Sequence, residues 1–138
     1  MSYDIVRNGL TNILQLQGLT ESLEAVDFRD ASDAEYENTF ILQCKDGEAD
    51  DANEQQAAFL YDNQVWEVQI AYNQSSENSN EQLNAIHRKK DTLLSELDDP
   101  VNWRSFCTLL RYKSWTIETR PNYYVLRIEL KIKDLLTY

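Results

Sequence analysis

The chain begins with apolar residues that recur at intervals of three or four positions. They are Tyr3, Val6, Leu10, Ile13 and Leu14. This spacing places them on one face of a helix and predicts an amphipathic helix over residues 3–17. Ser2 can cap its start and Gly18 can end it. Gly9 weakens such a helix by up to about 1 kcal/mol relative to alanine, so the helix needs packing to persist.

A second helical stripe lies in the later half of the chain. Its members are Leu83, Ile86, Lys90, Leu93, Leu94 and Leu97, and they predict a helix over residues 80–98. Lys90 is the single interruption of the apolar face. Ser79 and Gln82 match a capping box at the start. Pro100 ends the helix because proline disfavours helical geometry in the residue before it.

Alternating apolar and polar residues predict strands in the remaining segments. Residues 36–44, 65–72, 107–119 and 123–133 carry this pattern, and a short strand is predicted at 23–28. A strand that begins at Phe59 is expected to break at Asp62. Residues 101–106 form a short apolar packing segment, and Arg120-Pro121-Asn122 is the turn of a terminal hairpin. One face of the last strand is expected to be exposed to solvent or to meet a partner. It comprises Val125, Arg127, Glu129, Lys131 and Lys133.

The order of these elements is helix, strands, helix and hairpin. It predicts an α+β fold in which two helices pack on one face of an antiparallel or mixed β-sheet. At 138 residues the chain fits a single domain, residues 1–138. Residues 45–57 are rich in acidic residues and predict a flexible loop.

Charge is distributed unevenly along the chain. Residues 1–87 contain three Lys and Arg residues against seventeen Asp and Glu residues, a net charge of −14. Residues 88–138 contain ten against seven, a net charge of +3, which together give −11. A chain with an acidic first part and a mildly basic last part can attract a copy of itself.

This asymmetry singles out two groups of residues as a candidate subunit or partner interface. The acidic group is Asp46, Glu48, Asp50, Asp51 and Glu54, and the basic group is Arg120, Arg127, Lys131 and Lys133. A solvated sheet face and a solvated loop are the alternative interpretations of the same residues.

The sequence offers little that could support catalysis. His87 is the only histidine, and its position in a cationic helical run favours a surface residue over a catalytic one. Gly47 comes too early among the neighbouring acids for a calcium-binding loop, and phosphate-binding and nucleophile motifs are absent from the sequence. The isolated positions of Cys44 and Cys107 favour the interpretation that both are small, buried residues on strands over a disulfide or a metal site. We therefore expect no enzyme activity, no metal, no cofactor and no membrane span.

The order of elements resembles that of the tail terminator, or tail completion, proteins of long-tailed bacteriophages and related head-to-tail joining proteins. The matching stretches are Tyr3–Gln17, Thr39–Cys44 with the loop to Gln56, Val65–Tyr72, Ser79–Leu97 and the hairpin to Lys133. The chain departs from the family pattern in having no proline near Thr39, where the first strand opens.

The resemblance implies a tail-terminator-like fold and a structural function. Members of the family typically form a homohexameric ring that caps the tail tube and joins it to the head connector. The implied location is the neck of the virion, after assembly in the host cytoplasm. The implied partners are other copies of this chain, the tail tube and the head-connector proteins, and DNA would pass through an acidic lumen without specific binding.

Two other classes of function fit the sequence less well. An acidic inhibitor or DNA-mimic module would bind a basic protein through the acidic first part of the chain. A small enzyme would have to rely on His87.

Overall fold

A computed structural model describes residues 2–22, 37–49, 60–74, 79–121 and 123–136. Within these ranges the protein contains three helices and five strands. In chain order they are α1 (Ser2–Leu16), β1 (Thr20–Glu21), β2 (Thr39–Ala49), β3 (Leu60–Asn73), α2 (Ser79–Asp98), α3 (Pro100–Trp103), β4 (Leu109–Thr119) and β5 (Tyr123–Leu136).

The strands form one mixed sheet in the order β1-β2-β3-β5-β4. β1 pairs with β2 in parallel, and all other neighbours are antiparallel. β3 and β5 lie in the middle and pair over their whole lengths, from Leu60 opposite Leu136 to Asn73 opposite Tyr123. The α+β class with a mixed sheet is confirmed.

The main core lies between the helices and one face of the sheet. Alternate residues of β3 and β5 supply this face, because side chains two apart on a strand point the same way. Trp66, Val68 and Ile70 from β3 are completely buried there, and so are Leu126 and Ile128 from β5. We call this surface the helix face of the sheet, and the opposite surface the charged face.

Helix α1 matches its prediction, and its end has a defined cap. Gly18 has a φ of +82°, a left-handed conformation that glycine adopts without strain. The backbone N–H of Leu19 donates to the carbonyl oxygen of Leu14, and that of Gly18 donates to Gln15. This is the Schellman arrangement, which satisfies carbonyl groups left free at a helix end.

The strands around the predicted acidic loop extend further than the sequence suggests. Residues 45–49 belong to β2, where Ala49 pairs with Asp62, so this part of the loop prediction is wrong. The predicted break at Asp62 is also wrong, because β2 and β5 flank β3 at that point and complete its hydrogen bonding. Residues 50–57 and the predicted strand at 23–28 lie outside the described residues.

One end of the charged face is apolar and buried. Ile41, Ala71, Tyr123 and Val125 form a second hydrophobic cluster there, separate from the main core. The expectation that Val125 is exposed to solvent is therefore wrong, since the residue is only 2% exposed. The sheet thus packs on both faces at this end.

Gly9 allows a close approach between α1 and the segment that follows α3. A Cβ atom at this position would lie 2.2 Å from Cδ1 of Phe106, whose ring is buried. Such a distance forces the ring or the helix to move. The glycine therefore weakens the isolated helix and permits its packing.

We predict that Gly9→Ala destabilises the protein by about 1–3 kcal/mol, because overpacking outweighs the gain in helix propensity. Urea unfolding followed by circular dichroism measures the change. Asn8→Ala on the exposed side of α1 is the matched control and should change stability by less than about 0.5 kcal/mol. A stabilised Gly9→Ala variant would contradict the packing explanation.

Candidate functional site

Two acidic residues lie directly opposite each other at the centre of the charged face. Glu67 on β3 pairs in register with Glu129 on β5. The side chain of Glu67 is only 7% exposed and that of Glu129 is 26% exposed. Like charges opposite each other on neighbouring strands are destabilising, so this pair needs cations nearby.

Irregularities in the two outer strands lie beside this acidic pair. The pairing of β2 with β3 shifts between Cys44 and Asp46, and that of β4 with β5 shifts between Tyr112 and Ser114. Each shift leaves one lysine as the extra residue, which is the geometry of a β-bulge. Both lysines, Lys45 and Lys113, point to the acidic pair.

The distances identify Lys45 as the main counter-ion. Its Nζ lies 3.1 Å from Oε2 of Glu67 and 3.2 Å from Oε1 of Glu129. Lys113 Nζ lies 3.7 Å from Oε2 of Glu129. The hydrogen bond from Lys45 holds the pKa of the Glu129 carboxyl below its usual value, and the bond to Glu67 raises the pKa of Lys45.

Arg120 and Arg127, two residues of the predicted basic interface, take part in ion pairs within the chain. Arg127 Nε lies 3.0 Å from Oε1 of Glu118, and its Nη1 lies 3.6 Å from Oε1 of Glu67. Arg120 also pairs with Glu118. These arginines are therefore occupied in stabilising the sheet, which reduces their availability to a partner.

The other predicted interface residues that the structure describes meet around one cleft. Asp46 and Glu48 from β2 and Lys131 and Lys133 from β5 line a space of about 360 Å³ on the charged face. The strand between them, β3, forms its floor. The acidic and basic residues are thus on one surface of the molecule. Asp50, Asp51 and Glu54 lie outside the described residues.

The two lysines of this cleft differ in their surroundings. Lys131 is exposed, and the described residues provide no ion-pair partner for it. Lys133 is half-buried, with its Nζ 4.7 Å from the centre of the Tyr61 ring. Lys131 is therefore the more accessible cation.

The outer edge of β4 was not predicted from the sequence. This strand is last in the sheet, and all residues from Arg111 to Thr116 are exposed. Tyr112 and Trp115 are among them, at 49% and 37% exposure. Aromatic side chains in a terminal hairpin strand were visible in the sequence, but only the strand order shows that they lie at an edge.

Trp115 explains why Lys90 interrupts the apolar face of α2. The Lys90 side chain is 9% exposed, and its Nζ lies 3.7 Å from the centre of the indole ring. Asp91 pairs with the same ammonium group at 3.1 Å. The imidazole ring of His87 packs edge-on against the indole ring of Trp115, with ring centres 5.5 Å apart. His87 is therefore a half-buried packing residue beside β4.

A second cleft, also of about 360 Å³, lies between the end of α1 and α2. Arg88 and Lys89 line it, and Lys89 Nζ lies 5.1 Å from the centre of the Tyr72 ring. Burial, together with Glu37, raises the pKa of Tyr72 to about 12. Arg88 and Lys89 thus line this cleft, whereas Lys90 on the same helix contacts Trp115.

Neither cysteine forms a disulfide. Cys107 is buried before β4, whereas Cys44 on β2 is exposed, so the expectation of two buried cysteines on strands is wrong. Burial raises the pKa of the Cys107 thiol to about 12.

The part of the chain that the structure describes contains no group of three or more His, Cys, Asp or Glu residues arranged to hold a metal ion. None of its helices is both long enough and apolar enough to cross a membrane.

Comparison with known proteins identifies no family model and no curated protein that matches this chain. The resemblance to tail terminators stays a prediction.

We predict that Lys45→Met destabilises the protein by about 1–2 kcal/mol, because Glu67 and Glu129 would then face each other without their shared counter-ion. Chemical denaturation measures the loss. Lys131→Met is the matched control on the same face and should change stability by less than about 0.5 kcal/mol. Adding Glu129→Gln to Lys45→Met should recover part of the loss. Equal stability of the two lysine variants would contradict the role given to Lys45.

The lowered pKa of Glu129 also predicts a dependence on pH. A carboxyl with a lower pKa in the folded state contributes stability above its unfolded pKa, and this contribution is lost as the pH falls through the folded value. We expect the difference in unfolding free energy between the native chain and Glu129→Gln to shrink as the pH falls below about 4.5. Parallel denaturation series from pH 6 to pH 3 measure it. A difference that is constant with pH would contradict this assignment.

Proposed function

We propose that this protein is a structural component of the neck of a long-tailed phage. It resembles tail terminators, which form a ring that caps the tail tube and joins it to the head connector. The proposed partners are other copies of the chain, the tube and the connector, with DNA passing through the ring.

The single observation that carries this proposal is the difference between the two long outer strands of the sheet. The exposed end of β2 presents Asp46 and Glu48, and the exposed middle of β4 presents Arg111 and Lys113. A ring requires two different and complementary surfaces on each subunit. Opposite charge at the two sides of one sheet supports such head-to-tail contact.

The arrangement of the described acids is less favourable to a DNA mimic. Such a module needs a regular array of free carboxylates to imitate phosphates. Glu67, Glu118 and Glu129 instead contact lysine or arginine side chains of their own chain. Their charge is balanced within the sheet, which supports a structural role for them.

We expect the purified protein to form a ring of about six subunits, either alone or on purified tail tubes. Light scattering after size exclusion across a salt series gives the mass, and negative-stain images give the shape. A protein that stays monomeric at every salt and protein concentration, and that does not bind tubes, would contradict the proposal. Loss of assembly at high salt would indicate that charged surfaces contribute.

A further inference from the structure

We propose that the outer edge of β4 binds the acidic end of β2 in a second copy of this chain, so that the sheet continues from one subunit into the next. This inference rests on the proposed assembly function and names the surfaces that would meet. Its physical basis is a combination of open backbone groups, strand direction and charge.

The edge of β4 has backbone groups available for pairing. The N–H of Arg120 donates to the carbonyl oxygen of Tyr123 at 2.7 Å, which makes these two residues a hydrogen-bonded pair. In an antiparallel ladder such pairs alternate with pairs whose backbone groups point outward. Trp115, Ile117 and Thr119 therefore direct their N–H groups away from β5, where no described residue pairs with them.

Strand direction permits β2 of a second copy to complete the ladder. From β2 to β3, β5 and β4, each neighbour is antiparallel, so β2 and β4 run in opposite directions. A second copy placed beside the first in the same orientation then pairs its β2 with β4 in an antiparallel manner. Beyond Phe40, no described strand occupies the outer edge of β2.

The register across the sheet brings opposite charges together. Asp46 pairs with Val65, Val65 with Lys131, and Lys131 with Arg111, so these residues form one row across the four strands. Continuing this row into the next copy places its Asp46 beside Arg111. Opposite charges at cross-strand positions are stabilising.

The same charges disfavour pairing of β4 with itself. Antiparallel pairing of two copies of β4 centred near Tyr112 would place Arg111 of each copy opposite Lys113 of the other, and like charges in an interface cost several kcal/mol. A bulge with charged residues on an edge strand similarly discourages indiscriminate pairing. The exposed Tyr112 and Trp115 add contact area of the kind that is enriched at interaction hot spots. The edge is therefore selective for an acidic strand.

Arg111→Glu in the full-length chain tests this interface. We expect it to weaken self-association at least about tenfold by light scattering over a concentration series. Lys131→Glu is a matched control, because it makes the same charge change in the same row, one strand in from the edge. It should weaken association less than about threefold. Circular dichroism verifies that both variants fold.

Mixing complementary variants gives a second, independent measurement. Asp46→Lys alone should also weaken association, and an equimolar mixture with Arg111→Glu should restore it, since each charge reversal then meets its opposite. Restoration by Lys131→Glu instead would indicate face-to-face contact through the charged cleft and would overturn the proposal. An Arg111→Glu variant that assembles as well as the wild-type protein also overturns it, while leaving the proposed function standing. Protein that never assembles, with or without tubes, overturns both.

Discussion

The uninterrupted pairing of β3 with β5 is the constraint on which the rest of the structure depends. These two strands are paired along fourteen positions with no shift in register. Regular pairing fixes the face to which every side chain points, so the apolar residues of both strands meet the helices. It also places Glu67 opposite Glu129 on the other face. The pairing of β3 with β5 thus provides the core on one face and brings the like charges of Glu67 and Glu129 together on the other.

Irregularities in the outer strands β2 and β4 place lysines beside the two glutamates and reduce their repulsion. On a regular strand, each residue lies directly opposite one partner on the neighbouring strand. Lys45 and Lys113 are instead the extra residues of bulges, and their side chains reach the acidic pair. Lys45 from one side and Lys113 from the other therefore converge on Glu129. Arg127 supplies further positive charge to Glu67. The bulges and the acidic pair form one electrostatic unit. Without the bulge lysines the two glutamates would lack these counter-ions, and without the glutamates the lysines would lack these ion-pair partners.

The sequence predicts those elements whose hydrophobic pattern is set by burial on one face. Helices α1 and α2 and strand β5 have strong periodicity, and their predicted and observed bounds agree closely. The end of β2 and the start of β3 were missed because residues such as Gly47 and Asp62 have low strand propensity. Pairing with neighbouring strands overrides that preference. The positions of the bulges were not predicted from the sequence, so the ion pairs of Lys45 and Lys113 were not predicted either.

Charge that is paired within a chain contributes differently to recognition from charge that is left free. The overall imbalance between the first and last parts of the sequence includes Glu67 and Glu129, whose charges are paired within the sheet with Lys45, Lys113 and Arg127. The exposed charges that remain on the described strands include Asp46 on β2, Lys131 on β5 and Arg111 on β4. Long-range attraction depends on net charge, whereas the register of a contact depends on such local residues. In the proposed assembly, the asymmetry of the chain therefore favours encounter between copies, and the two edges of the sheet would provide the specificity.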